Sequence, residues 1–330
     1  MKLVIAVVVT SMVGFWVGQG RFGTDPSSLT SDTLSASLSA ALREEDSLIR
    51  WSETARISAS VTPDNLPGLI LATEENLASL AQPEIEMIAE AWAAIEPDGA
   101  FELSLSWIGS GRRSALLSAI AYSWARTDPV SCERAVREIT DVHLQEPAAA
   151  GLARGWARSG KDGLLGFLDG LPKSQFRQMT VRSVLEEILE ESGRDGVVKW
   201  TDRSIREASG KLPTTVLRKA AMVLGRDDSL ATLPWIDSTA LLPEADGIER
   251  IFVMQWILFD PHAALGWLGT REAMPKFDET VVSVLRRWHD RDSESAREWF
   301  GDHRTEAWLG SATTGPWALG GALDGPRADG

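Results

Sequence analysis

Cysteine is nearly absent: Cys132 is the single one in 330 residues. No intrachain disulfide can form, so the fold must rest on its core alone. A thiol nucleophile would need a neighbouring His and an oxyanion donor, and the sequence offers neither for Cys132, which reads as a small buried side chain. Histidine is scarce as well, confined to His143, His262, His289 and His303. No two of them stand four apart on one helix and no cysteine cluster joins them, so no metal spacing is present. Positive charge is also in deficit, with a formal net charge of −14. That excludes the basic stripe of a nucleic-acid surface and leaves the polar part of the chain no attraction to anionic lipid. The cations are mostly Arg and scattered, as in Arg112, Arg113, Arg286 and Arg287. They read as solvated helix faces, or more sharply as contacts for an anion or an acidic peptide.

Tryptophan is plentiful, 14 in all. A bulky apolar residue, usually Trp, recurs at Trp92, Trp124, Trp156, Leu189, Val223, Trp256 and Trp288, at spacings of 32, 32, 33, 34, 33 and 32. A period of that length marks helix-turn-helix units, because one such unit cannot bury its own apolar face and leans on its neighbours. The clearest copies run Trp124 to Pro129 and Trp256 to Pro261. In both, a helix ends after the Trp, Asp128 or Asp260 supplies the N-cap oxygen, and Pro129 or Pro261 takes the first turn of the next helix, where it loses no hydrogen bond. The first copy uses Glu96 and Pro97, the last Asp292. A second apolar mark follows eleven or twelve residues after each anchor, at Leu103, Val136, Phe167, Trp200, Trp235, Trp267 and Trp299. Each buried Trp removes roughly 150–250 Å² from water, about 4–6 kcal/mol gross, so packing accounts for the Trp content.

The unit W-A-x-x-D-P-x-x-A resembles the repeat of uncharacterised bacterial α-helical repeat proteins, over residues 84–305. Its length is similar to that of tetratricopeptide repeats, although here the Trp lies near the end of the first helix rather than its beginning. The resemblance implies a tetratricopeptide-like α-solenoid that holds a partner on an extended surface, and it brings no catalytic residue.

Residues 1–20 form the second strong signal. Lys2 precedes an uncharged apolar run from Leu3 to Gly18. Sixteen residues give about 24 Å of helix, which spans a bilayer if it thins locally or if Trp16 sits at the interface. The expectation is an uncleaved signal anchor or transmembrane helix with the remainder periplasmic; the alternative is a cleaved signal peptide cut after Gly20 and a secreted product. Ala6, Thr10, Gly14 and Gly18 fall four apart. Such a stripe of small residues lets two helices approach closely, and predicts a homodimer contact through the anchor. Residues 21–41, rich in Ser and Thr, read as a flexible tether in which Leu34, Leu38, Ala41 and Leu42 begin a helical spacing. Residues 42–83 read as N-terminal capping helices, the first over Leu42 to Ile57. Residues 306–330, Gly-rich with Pro316 and Pro326, read as a loose tail.

Chemistry is hard to find. Gly155 to Asp162 has the glycine and lysine spacing of a phosphate loop, but Asp162 stands where a Mg²⁺-binding hydroxyl is needed, and the preceding segment is helical in pattern. Of the carboxylates Glu186, Glu187, Glu190 and Glu191, adjacent pairs cannot all face one pocket on a helix; Glu187 and Glu191 do share a face, and they read as solvated. No G-x-S-x-G elbow is present. The fold class read from the sequence is all-α: a right-handed α-solenoid of about seven helix-turn-helix repeats behind an N-terminal transmembrane helix. The expected function is an envelope scaffold that binds a protein or peptide, with no cofactor, no nucleic acid and no catalytic or metal site. The alternatives are a hydrolase or lyase acting on envelope polymer, and a self-assembling structural protein.

Overall fold

A computed structural model of the chain describes residues 29–107 and 111–310. The anchor segment, with Ala6, Thr10, Gly14 and Gly18, lies outside the described residues, as do 311–330. Among the described residues the chain is all-helical, and none of its helices is long and apolar enough to cross a membrane. They fall into two compact units, one ending at Ile120 and one beginning at Ala121.

The N-terminal unit opens with α1 (Ser31–Leu42), α2 (Ser47–Ser58) and α3 (Leu66–Asn76). Residues 31–41, expected as part of a flexible tether, are therefore helical. Thr30 caps α1 through its side chain, and Leu34 and Leu38, one turn apart, are fully buried. An amphipathic stripe is hidden there in a Ser-rich composition. The helix expected over Leu42 to Ile57 is likewise two: Leu42 closes α1, and Asp46 starts α2 by accepting from the Leu48 and Ile49 backbone N–H groups at 2.9 and 3.2 Å. The pair α4 (Gln82–Ile95) and α5 (Pro97–Ser106) follows. Glu84, 2% exposed, ties α4 to α2 through Arg50 at 2.6 Å.

Six further helix pairs continue the pattern: α6 (Gly111–Thr127) with α7 (Pro129–Glu138), then α8 (Val142–Ser159) with α9 (Leu164–Gly170). The third of the six lies within α10 (Gln175–Glu207); α11 (Leu212–Leu224) and α12 (Ser229–Thr239) come next. Last are α13 (Ile248–Trp256) with α14 (Pro261–Leu268), and α15 (Phe277–His289) with α16 (Ser293–His303). The run α10 is two helices broken at Gly193, whose φ of 66° only glycine adopts without strain.

The break falls at a fixed place. Four residues after their anchors, Glu96, Asp128, Asp260 and Asp292 have φ/ψ of −142/73°, −139/81°, −140/84° and −147/88°. Gly160 and Gly193 occupy the same slot with positive φ, and Asp228 falls one residue later after Val223. Asp128, Asp228, Asp260 and Asp292 each accept the backbone N–H three residues on, at 3.0–3.2 Å. Glu96 accepts no such bond. One methylene longer than Asp, its carboxyl overshoots the cap position and lies over Gly99, so it is not a side-chain cap.

Packing follows the same register. Trp92, Trp124, Trp156, Val223, Trp256 and Trp288 are buried, while Leu189 is half-buried. Of the second marks, Val136, Phe167, Trp267 and Trp299 are buried and Trp200 and Trp235 half-buried. Leu103 is exposed; Phe101 fills that role on α5, because the inward face of so short a helix passes through Phe101 and Ser104. The C-terminal core runs through Leu309, so the loose tail does not begin at 306. Ala307–Leu309 forms a 3₁₀ turn, and the Trp308 indole fits over Gly269, where a Cβ would lie 2.9 Å from the ring.

Candidate functional site

Consecutive first helices in the C-terminal unit bring one repeat slot together. Tyr122, Arg154 and Glu187 each stand two residues before an anchor, on α6, α8 and α10. Close approach of α6 and α8 is permitted by Gly155, where a Cβ would overlap the Tyr122 carbonyl oxygen. The Tyr122 hydroxyl donates to Glu187 Oε1 at 2.8 Å. Arg154 donates to Glu187 Oε2 through Nε at 3.2 Å and Nη2 at 3.0 Å, and its guanidinium lies 5.0 Å from the Tyr122 ring. Arg158, four residues on, is 3.7 Å from Glu187 and pairs with Glu191.

Glu187 is 4% exposed, so the expectation that it is solvated is corrected. Its charge is offset by two guanidinium groups and its lone pairs by three donors, which is what permits a carboxylate to sit there. Burial pushes the Tyr122 hydroxyl up to about 12, and the negative charge and hydrogen bond of Glu187 act in the same direction. Arg154 and Arg158 keep 39% and 34% of their side chains in solvent. The result is a charged face whose interior is fixed and whose outer edge carries guanidinium groups. The sequence signal for it existed in the spacing of Glu187 and Arg154, but only a register counted from the anchors would have joined them.

A pocket of about 310 Å³ opens on another side of α8, at its turn into α9. The string that mimics a phosphate loop is placed here. Its first glycine, Gly155, is inside α8 and serves helix packing, while Gly160 to Gly163 form the turn that borders the pocket. Gly163 has φ 111°, and a Cβ there would stand 2.6 Å from Trp156 Cζ2. Trp156 is therefore pressed beneath the turn, with its indole N–H donating to the Asp162 carbonyl at 3.2 Å. Trp200, half-buried, lines the pocket from the second half of α10.

Four charged side chains share this lining. Arg203 donates to Asp162 Oδ1 through Nη2 at 2.7 Å and to Glu207 Oε2 through Nε at 2.8 Å, and these partners raise its already high pKa further. Lys161 Nζ donates to the Thr127 carbonyl. Cys132 is buried, with Sγ 3.6 Å from the Ala121 carbonyl, in the structural role expected for it. Among the described residues no three His, Cys, Asp or Glu side chains are grouped to hold a metal ion. No family model, curated protein or solved structure matches the chain.

Proposed function

We propose that the chain is a membrane-anchored helical-repeat scaffold, an α-solenoid of about seven units that binds a protein or peptide partner in the cell envelope. Residues 3–18 tether it, and the face carried by the first helices holds the partner. The observation that supports this most is the recurrence of one interhelix break at four of the seven anchors, where Glu96, Asp128, Asp260 and Asp292 have φ between −147° and −139° and ψ between 73° and 88°. A break that recurs with one geometry suits helix pairs that pack on their neighbours in a repeated way, which is how solenoids build extended binding faces. The half-exposed guanidinium groups of Arg154 and Arg158 suit the carbonyls and carboxylates of an extended segment. An enzymatic reading has less support: Asp162 and Glu207 are both engaged by Arg203, whereas acid–base hydrolysis needs two carboxyl groups in contrasting environments.

The test is in-cell photo-cross-linking from the full-length protein, with the cross-linker at Arg126 on the first-helix face and, as control, at Glu138 on α7. One dominant envelope protein captured from position 126 and not from 138 is the expected outcome. Capture of the chain by itself would favour self-assembly, and identical products from both positions would remove the first-helix face as the binding surface.

A further inference from the structure

The pocket beside the α8–α9 turn selects its occupant by what it would reject. An anion meets Asp162 and Glu207, and a cation meets Arg203 and Lys161. A wholly apolar molecule would strip water from four charged groups and return no hydrogen bond. A neutral ring bearing several hydroxyls has none of these conflicts. Its hydroxyls donate to the two carboxylates and accept from the guanidinium and the ammonium, which has two hydrogens left after its bond to Thr127. Its C–H face finds an apolar wall in the Trp200 indole.

We propose that this pocket binds a neutral saccharide unit, held by Asp162, Arg203 and Glu207 and stacked on Trp200. Its polar constellation is assembled in advance. Arg203 fixes both carboxylates through bonds of 2.7 and 2.8 Å, so little ordering remains to be done when a ligand enters. Trp156, 3% exposed and held by its own N–H bond, supplies a rigid floor. The volume of about 310 Å³ lies at the small end of ligand sites, roughly 300–1,000 Å³, and admits one or two sugar rings. The site does not depend on the scaffold reading, since it lies apart from the Tyr122, Arg154 and Glu187 face.

Saturation-transfer NMR on the full-length protein in a sugar-free detergent tests it, with N,N′-diacetylchitobiose, cellobiose and maltose as probes. Transfer to at least one of the three is expected, with a loss of roughly tenfold in affinity for Trp200→Ala and for Arg203→Met. Arg203→Lys should not restore binding, because an ammonium cannot bridge two carboxylates in one plane. Asp162→Asn serves as the variant least able to disturb folding, its side chain being 85% exposed. Absence of transfer from all three sugars to the unaltered chain overturns the proposal. So does transfer that persists undiminished in Trp200→Ala, Arg203→Met and Asp162→Asn alike.

Discussion

The hydroxyl of Tyr122 and the carboxylate of Glu187 meet at 2.8 Å across 65 residues of sequence, and each stands two residues before the anchor of its own repeat. The repeat between them contributes Arg154 from the same slot, so three rungs of one register close on a single buried charge. Removing that charge leaves a guanidinium and a phenol facing an empty site. Glu187→Ala is expected to cost about 1–3 kcal/mol in denaturant unfolding, below the roughly 3–5 kcal/mol of a fully buried broken pair because Arg154 can still reach water. Tyr122→Phe, which deletes one donor and leaves the Arg154 bonds intact, should cost about 1 kcal/mol. Equal losses for the two variants would show that Arg154 contributes nothing.

Tyr122 is the only tyrosine, so its ionisation can be followed alone by near-ultraviolet absorbance. Burial, then the charge and hydrogen bond of Glu187, raise its pKa from 10.0 to about 12. The sign follows from linkage: a pKa raised in the folded state contributes stability that is fully present below the unfolded value of 10.0. That stability is lost as pH climbs through about 12. An absorbance midpoint near 12 is expected for the native chain, and a stability decline beginning above pH 10 that Tyr122→Phe lacks. A midpoint at 10 would place the hydroxyl in solvent.

Much of this fold is legible in the sequence, and the reason is periodic. Trp, Asp and Pro at fixed offsets state where one helix ends and the next begins, and Asp128, Asp260 and Asp292 perform the capping that their position implies. Residue chemistry alone misleads where geometry decides. Glu96 has the charge of a cap but not the reach, and Leu103 has the apolarity of a core residue but not the direction. The Glu187 site is less legible still, because a carboxylate among four Glu residues looks solvated until helices from two other repeats bring Tyr122 and Arg154 to it. The pocket was concealed by its resemblance to a phosphate loop.

The two kinds of break residue should respond differently to truncation. Asp260→Ala removes the oxygen that accepts the Ala263 N–H at 3.0 Å and is expected to cost about 1 kcal/mol, the usual penalty for a lost N-cap. Glu96→Ala removes no capping bond and should change stability by less than about 0.5 kcal/mol. Chemical denaturation of both variants decides it; a Glu96 effect as large as that of Asp260 would mean the backbone conformation at the break depends on the side chain in a way unrelated to capping.

Trp256 offers the measure of how far the anchors act as core. It is 2% exposed, with ring centroids 5.6 Å from Phe252 and 6.1 Å from Trp267. Trp256→Ala should cost about 3–5 kcal/mol, as large core truncations do, and Trp124→Ala, 4% exposed, should fall in the same range. A loss below about 1 kcal/mol at either position is incompatible with an interior indole.

Gly155→Ala sets two physical effects against each other. In the middle of α8, replacing Gly by Ala should stabilise the helix by about 0.5–1 kcal/mol through backbone entropy alone. The new methyl, however, would overlap the Tyr122 carbonyl and touch Ala125 Cβ at 3.0 Å, and neither can yield without moving α6. Overpacking of this kind costs about 1–3 kcal/mol, so net destabilisation is expected. The displacement acts on the residue that reaches Glu187. The Tyr122 titration should therefore fall from about 12 toward 10.0 in this variant, giving a local readout beside the global one. If Gly155→Ala instead raised stability and left the titration in place, the helices would have to be farther apart than the Tyr122, Arg154 and Glu187 contacts require.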